Sequence, residues 1–317
     1  MDDEIPPGSA PSQSLKIISG GRQEPSLDSP QDALDRGMVA LSRSIRMKTM
    51  WPRMERLCPP RSERFWVIGG RPGNFKTQLL WNLALDMADR KQRVLFVSLE
   101  LTTGELTVQA LARFSRIELD RIEAGRRRSP PFTDAEQAAL DSAIERVVGT
   151  DLFLRLHGVE HGRTMPSVLR STTRNRFDAI FIDHVAMIGR DAGHRLDELA
   201  RAVDKLRGLA RGEVAAGYRP FVCVASPLNR EIDRDAEGDD ERMPRMSDFW
   251  GSSSIESDAD VAMILQKVRQ PEESVAPCAV NASVLKNRQG KCPIVLRFEA
   301  QGAICLVTER QPHEGTP

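Results

Sequence analysis

Apolar residues in this chain fall into short runs separated by stretches with helical spacing. Phe65 to Ile68 is an apolar, aromatic run of strand type. It breaks into Gly69-Gly70-Arg71-Pro72-Gly73-Asn74-Phe75-Lys76-Thr77 before a long amphipathic helix. Arg93 to Ser98 predicts a second strand, which ends at Glu100. Helices are predicted over 103–116, 118–124 and 133–147, a strand over Asp151 to Leu156, and a helix over 164–175. A strand over Asp178 to Ile182 ends in Asp183, and a helix over 195–216 leads to a strand over Pro220 to Ala225. This alternation predicts an α/β fold with a mainly parallel, twisted sheet flanked by helices and chemistry at the carboxyl ends of its strands. From about 260 the pattern changes. Val261 to Gln266, Ala279 to Leu285, Ile294 to Phe298 and Ala303 to Val307 are strand-like runs with no helix between them, which predicts antiparallel hairpins at one sheet edge.

The two ends read differently. Residues 1–28 are rich in Pro, Gly, Ser and Gln with little apolar clustering, which predicts a disordered tail. Ser29-Pro30-Gln31-Asp32 then carries helix-start chemistry, and Leu34, Met38, Leu41 and Ile45 follow at helical spacing. Residues 29–50 therefore form a linker helix, whose apolar stripe covers either its own domain or a neighbouring subunit. The main domain is expected over 51–311, with a short tail at 312–317.

Composition narrows the class. An apolar share of 40% over 317 residues fills a sizeable core, and no run approaches the ~18 apolar residues of a membrane span. Basic and acidic residues balance at 45 each, so a polyanion would be met by a local patch and not by net charge. The five cysteines (Cys58, Cys223, Cys278, Cys292, Cys305) are odd in number and not closely paired. Free thiols in a reducing, cytoplasmic setting are the expectation.

The glycine-rich break is the strongest chemical signal. A strand, a loop of this type and a helix form the context of a phosphate-binding loop, in which backbone N–H groups and the helix N-terminus face an anion. Gly70, Arg71, Pro72, Gly73, Asn74, Phe75, Lys76 and Thr77 are the candidate nucleotide-binding residues, with Lys76 for the outer phosphates and Thr77 for Mg²⁺. Asp183, after Ala179-Ile180-Phe181-Ile182, sits at a strand end from which a carboxylate holds Mg²⁺ or its water shell. Glu100 is the candidate base for an attacking water, with helix capping near Thr102 and Thr103 as its plainer alternative. His157-Gly158-Val159-Glu160-His161 matches an inverted zinc-protease pattern but lacks the helix that pattern needs. His184 and His194 read as ordinary surface or loop residues.

Taken together, these segments resemble the ATPase domain of DnaB-type replicative DNA helicases, a RecA-like fold, from about Arg64 to Val307. The resemblance rests on Ser98-Leu99-Glu100, on Leu111-Ala112-Arg113-Phe114-Ser115-Arg116, on Ser252-Ser253-Ser254-Ile255-Glu256-Ser257-Asp258-Ala259-Asp260, and on Lys286-Asn287-Arg288-Gln289-Gly290. The last two segments separate this family from RecA recombinases and clock-type ATPases. The resemblance implies ATP and Mg²⁺ as cofactors and a homo-oligomer, a hexameric ring. It implies that Lys286 and Arg288 act as fingers in a neighbour's site, where the residues alone read as a solvated basic turn. Single-stranded DNA would pass through the ring, with Arg190, Arg195, Arg230 and Arg234 as phosphate contacts and with replication or loader proteins as partners. An acidic run in the second channel loop (Asp235, Glu237, Asp239, Asp240, Glu241) is expected to face solvent.

Three positions depart from the family pattern. Phe75 replaces a glycine, Pro227 replaces a glutamine able to sense the γ-phosphate, and Trp250 stands where an arginine is usual. An ATP-dependent helicase motor is the expected function. A slow or inactive nucleotide-binding assembly or loader protein on the same fold is the alternative.

Overall fold

A computed structural model describes residues 29–31, 34, 38, 39, 44–125, 131–150, 153–188, 195–214, 217–229, 242–268 and 277–310. The chain divides into two units, Met1–Arg43 and Ser44–Pro317. In the first, residues 30, 31, 34, 38 and 39 are helical, with Leu34 and Met38 exposed. The expected disordered tail (1–28) and the terminal tail (312–317) lie outside the described residues.

The second unit runs through α1 (Pro52–Leu57), β1 (Phe65–Gly70), α2 (Lys76–Asp89), β2 (Val94–Ser98), α3 (Thr103–Ser115), α4 (Leu119–Ala124) and α5 (Asp134–Gly149). It continues through β3 (Leu154–His157), α6 (Met165–Arg174), β4 (Ala179–Asp183), α7 (Arg195–Arg211), β5 (Phe221–Ser226) and α8 (Ser252–Asp258). The last four strands are β6 (Val261–Lys267), β7 (Cys278–Asn287), β8 (Ile294–Gln301) and β9 (Leu306–Glu309). Among the described residues they form one sheet in the order β3-β2-β4-β5-β1-β6-β7-β8-β9.

Strand alternation explains the layers. Trp66 and Ile68 of β1 join a core with Leu80, Trp81 and Leu83 of α2, whereas Phe65 and Val67 join one with Leu199, Val203 and Leu206 of α7. Successive side chains on a strand point to opposite faces, so each parallel strand feeds both cores. Every residue of β1, β2, β4 and β5 is buried. Each large side chain so covered stabilises the fold by about 1.5–3 kcal/mol. The parallel pairs β2·β4, β4·β5, β5·β1 and β1·β6 bring several carboxyl ends to one rim of the sheet.

The structure corrects the pattern at several places. Residues 44–50, expected to end the linker helix, are not helical and belong to the second unit, where Met47 is buried and Arg46 bridges antiparallel to Arg61. The strand expected from Ala303 begins only at Leu306, after a 3-10 turn over Gly302–Ile304. β6 is not simply a hairpin strand: it pairs parallel to β1 on one side and antiparallel to β7 on the other. Helix α1 lies where only proline punctuation was read. Its first N–H groups, at Arg53 and Met54, donate to the Glu309 carboxylate at 2.7 and 2.8 Å, a cap supplied from the far end of the chain. Helix α8 forms from a serine-rich stretch of modest helix propensity, behind Gly251 in a left-handed conformation. Helix α7 stops at Arg211 and not at 216, because Gly212 turns the chain at φ +79.

Two acids fasten helix starts. Thr133 and Glu136 form a capping box on α5, while Glu160 accepts from the Thr103 N–H at 3.0 Å and from its hydroxyl at 2.6 Å at the start of α3. Hydrogen bonds, led by Arg121 on Glu136 and by the Thr103 hydroxyl on Glu160, hold both carboxyls down to about 2. Their folded pKa is depressed, so these contacts act in full above the unfolded value of about 4.3 and fade as pH falls toward 2. Side-chain NMR titration should find Glu136 and Glu160 ionised at pH 3.5, and a midpoint near 4.5 for either would contradict the caps.

Candidate active site

The phosphate loop is shaped by close packing at its root. A Cβ on Gly69 would lie 2.6 Å from Phe249 Cε1 and 2.9 Å from Leu228 Cδ2, so only glycine lets β1 pass beneath them. The loop then turns at Gly73 (φ +79), and Asn74 Nδ2 donates to the Leu265 carbonyl at 2.9 Å, tying the loop to β6. Phe75 sits at φ 61, ψ 24, the left-handed conformation that the missing glycine would supply without strain. A phenylalanine there costs about 1–2 kcal/mol. Its ring turns into the core, and Phe75 Cε1 comes within 3.6 Å of where a Cβ on Gly302 would stand. The backbone path of the loop is thus kept while the half-buried ring packs against the core and Phe75 still lines the cleft.

A cleft of about 460 Å³ opens over this loop, lined by Gly70, Lys76, Thr77, Glu100 and Asp183 among others. Four polar groups converge there because β1, β2 and β4 run parallel and end together. Lys76 Nζ donates to the Gly70 and Arg71 carbonyls at 2.7 and 2.9 Å. Burial lowers its pKa, and the charges of Asp183 and Glu100 oppose that shift. Asp183 is 1% exposed, and neither carboxylate oxygen has a well-formed hydrogen bond. Burial raises its pKa, and the nearby Thr77 hydroxyl offsets part of the rise.

Such a buried, orphaned carboxylate beside a hydroxyl suits a divalent cation with its water shell. Thr77 and Asp183 therefore fit Mg²⁺, and Lys76 with the loop N–H groups fits phosphates.

Glu100 lies just past β2, and its Oε1 is 3.0 Å from His184 Nε2. That hydrogen bond is the main cause of its lowered pKa. Helix capping is not its role, because Thr102, Glu105 and Glu160 cap α3. His184 is therefore not the ordinary loop residue expected from sequence. The available signal was its place next to Asp183, one step beyond the paired end of β4.

Lys286 and Arg288 are not among the residues lining this cleft. They lie at the end of β7 and in the following turn, where Lys286 Nζ donates to the Glu256 carbonyl and Arg288 Nη2 to the Ser257 carbonyl of α8. The Arg288 backbone N–H donates to the Asp260 carbonyl at 2.9 Å, which fixes the root of the turn. Of the arginines expected to contact DNA, Arg190, Arg230 and Arg234 lie outside the described residues, and Arg195 opens α7.

His157 is engaged within the protein, with Nδ1 on Ser171 Oγ at 2.7 Å and Nε2 on the Gly162 carbonyl at 2.8 Å. At the end of β5, Asn229 Nδ2 donates to the Ser247 and Phe249 carbonyls at 2.9 and 3.1 Å. Ser226 Oγ donates to the Pro227 carbonyl at 3.3 Å. Neither side chain stands free to replace the glutamine absent at Pro227. Trp250 packs half-buried on the α7 face of the sheet.

A phosphate loop between β1 and α2, an acid at the end of β4 and the strand order around them define a RecA-like nucleotide-binding fold. The chain belongs to the DnaB-like helicase C terminal domain family, whose model matches residues 56–303. It is 28% identical over 239 residues to a probable plasmid replicative DNA helicase of Chlamydia muridarum, covering 74% of this chain and 49% of that protein. It is 26% identical over 206 residues to the replicative DNA helicase DnaB of Helicobacter pylori (strain 26695), covering 63% of this chain and 39% of that protein. The chain thus spans about half the length, or less, of the curated relatives it matches. In fold it is similar to a solved ATPase domain, with a TM-score of 0.72, 20% identity, and coverage of 90% of this chain and 100% of that one. A DnaB-like replicative helicase, in a structure that also concerns its interactions with primase, matches with a TM-score of 0.69 at 19% identity. That match covers 89% of this chain and 66% of the other.

The left-handed turn at Phe75 gives a direct test. Phe75→Ala loses the ring yet keeps the strain, whereas Phe75→Gly loses the ring and relieves the strain. Urea unfolding should place Phe75→Gly above Phe75→Ala by about 1 kcal/mol. Equal stabilities, or the reverse order, would show that the loop does not hold residue 75 in that conformation.

Proposed function

We propose that this domain hydrolyses ATP with Mg²⁺ and drives movement along single-stranded DNA within a ring of copies, as the motor of a DnaB-type replicative helicase. The observation that carries the reading is the meeting of Lys76, Thr77, Asp183 and Glu100 in one cleft, with Lys286 and Arg288 outside its lining.

In the reaction, Lys76 exchanges the Gly70 and Arg71 carbonyls for the β- and γ-phosphates, and the loop N–H groups hold the same oxygens. Thr77 and Asp183 hold Mg²⁺, which when bound offsets the charge on the phosphates. Glu100 orients a water and accepts its proton as the water oxygen bonds to the γ-phosphorus and the bridging P–O bond to ADP breaks. Lys286 and Arg288 of an adjacent copy reach the phosphates and release the α8 carbonyls they hold in the free chain. This makes turnover depend on assembly, in a hexameric ring by family resemblance. Arg190, Arg195, Arg230 and Arg234 contact strand phosphates in the channel. The setting is the cytoplasm, and replication or loader proteins are the expected partners.

The shared site is tested by mixing. Lys76→Ala should abolish turnover, and Arg288→Ala should lower it by roughly 10³-fold with nucleotide binding kept. Mixed rings of the two should recover part of the DNA-stimulated rate, because each supplies what the other lacks. No recovery in rings shown to be mixed would count against fingers acting between copies.

One observation favours slow turnover. Pro227 offers neither an amide side chain nor a backbone donor, and Asn229 and Ser226 are both engaged elsewhere. Pro227→Gln should therefore raise DNA-stimulated ATP hydrolysis. An unchanged or lower rate would mean that the γ-phosphate is sensed elsewhere.

A further inference from the structure

The exits of β2 and β4 are locked together. Ser98 pairs with Asp183 in the parallel register, and the Leu99 N–H donates to the Asp183 carbonyl at 2.6 Å. Glu100 and His184 leave the sheet directly beyond this lock and face one another. The two side chains differ in freedom: that of His184 is 18% exposed and that of Glu100 is 45% exposed. A half-exposed glutamate has three side-chain torsions to order and no fixed aim of its own. The imidazole is the stiffer partner. Its Nε2 lies 3.0 Å from Glu100 Oε1, and its Nδ1 is buried with no hydrogen-bond partner. A carboxylate only accepts, so Nε2 carries the proton and donates it into this contact. The less exposed imidazole, with two torsions to order against the glutamate's three, holds the carboxylate more than the carboxylate holds it.

We propose that His184 is the positioning residue for Glu100: its Nε2–H holds Oε1 so that Oε2 faces the attacking water. The inference rests on the reading of Glu100 as the base. The same sheet rim thus places a carboxylate for the cation at 183 and, at the next residue, the group that aims the base. Nucleotide binding does not pass through this contact, because Lys76, Thr77 and the loop backbone supply it.

The test is a set of four variants of the full chain: Glu100→Gln, His184→Ala, His184→Gln, and the double variant Glu100→Gln with His184→Ala. DNA-stimulated kcat and KM are measured beside the Kd of a fluorescent ATP analogue, which also reports folding of the cleft. His184→Ala should lower kcat by roughly 10²-fold, the cost of a misaimed catalytic group, with analogue Kd unchanged. His184→Gln keeps an N–H donor and should recover most of that loss. The double variant should be no slower than Glu100→Gln alone, because His184 acts only through Glu100.

Wild-type kcat in His184→Ala, with Glu100→Gln inactive, would overturn the positioning role and leave the base in place. A double variant slower than Glu100→Gln would overturn it too, by showing that His184 acts independently. A weakened analogue Kd that His184→Gln does not restore would place His184 in nucleotide binding instead. Full turnover by Glu100→Gln is a different outcome: it would remove the base itself, whatever His184 does.

Discussion

The structure depends on burying one acid with no well-formed hydrogen bond to either of its oxygens. Asp183 ends a fully buried strand, sits between parallel neighbours, and presents two orphaned oxygens to a cleft. An apolar side chain at 183 would be easier to fold, since an unpaired buried polar group costs several kcal/mol or shifts its proton equilibrium. The group is tolerable because Lys76 and Thr77 stand across the cleft and because a hydrated cation suits the gap. Almost every other feature of the site follows from keeping this arrangement aligned: the parallel register that carries Glu100 and His184, the Gly69 crossing under Phe249, and the Asn74 tie to β6.

The far side of the sheet is built differently. β6 changes the sheet from parallel to antiparallel, and β7 carries Lys286 and Arg288 away from the cleft to the carbonyl end of α8. Cations at a helix C-terminus complement its exposed carbonyls, so the resting position of both side chains is favourable but modest in strength. The short helix α8, rich in serine, is thus the seat on which Lys286 and Arg288 rest.

Much of this was legible in sequence, for reasons that differ by element. β1, β2, β4 and β5 announce themselves because strands buried on both faces are continuous apolar runs. The phosphate loop, Glu100 and Asp183 were legible because strand ends and glycine breaks are local signals. Helix α1 was not, since its cap is Glu309, and β6 was half-read because its parallel partner, β1, lies far back in the chain. The His184 contact escaped for a similar reason: nothing near residue 184 in sequence mentions Glu100, and only the β2·β4 register brings them together. Phe75 was legible as a departure from the loop pattern, but the left-handed backbone it adopts in place of the missing glycine is a property of the folded loop.

The most direct test of the account is calorimetry and thermal unfolding of Asp183→Asn beside the wild-type chain. If the buried carboxylate is kept for a cation, Mg²⁺ will tighten ATP binding to the wild type and not to Asp183→Asn. Without nucleotide or Mg²⁺, Asp183→Asn will unfold at the same temperature as the wild type or higher, because a poorly satisfied buried carboxylate has been removed. A variant that is less stable when empty, and that still binds ATP with full Mg²⁺ dependence, would contradict the account at its centre.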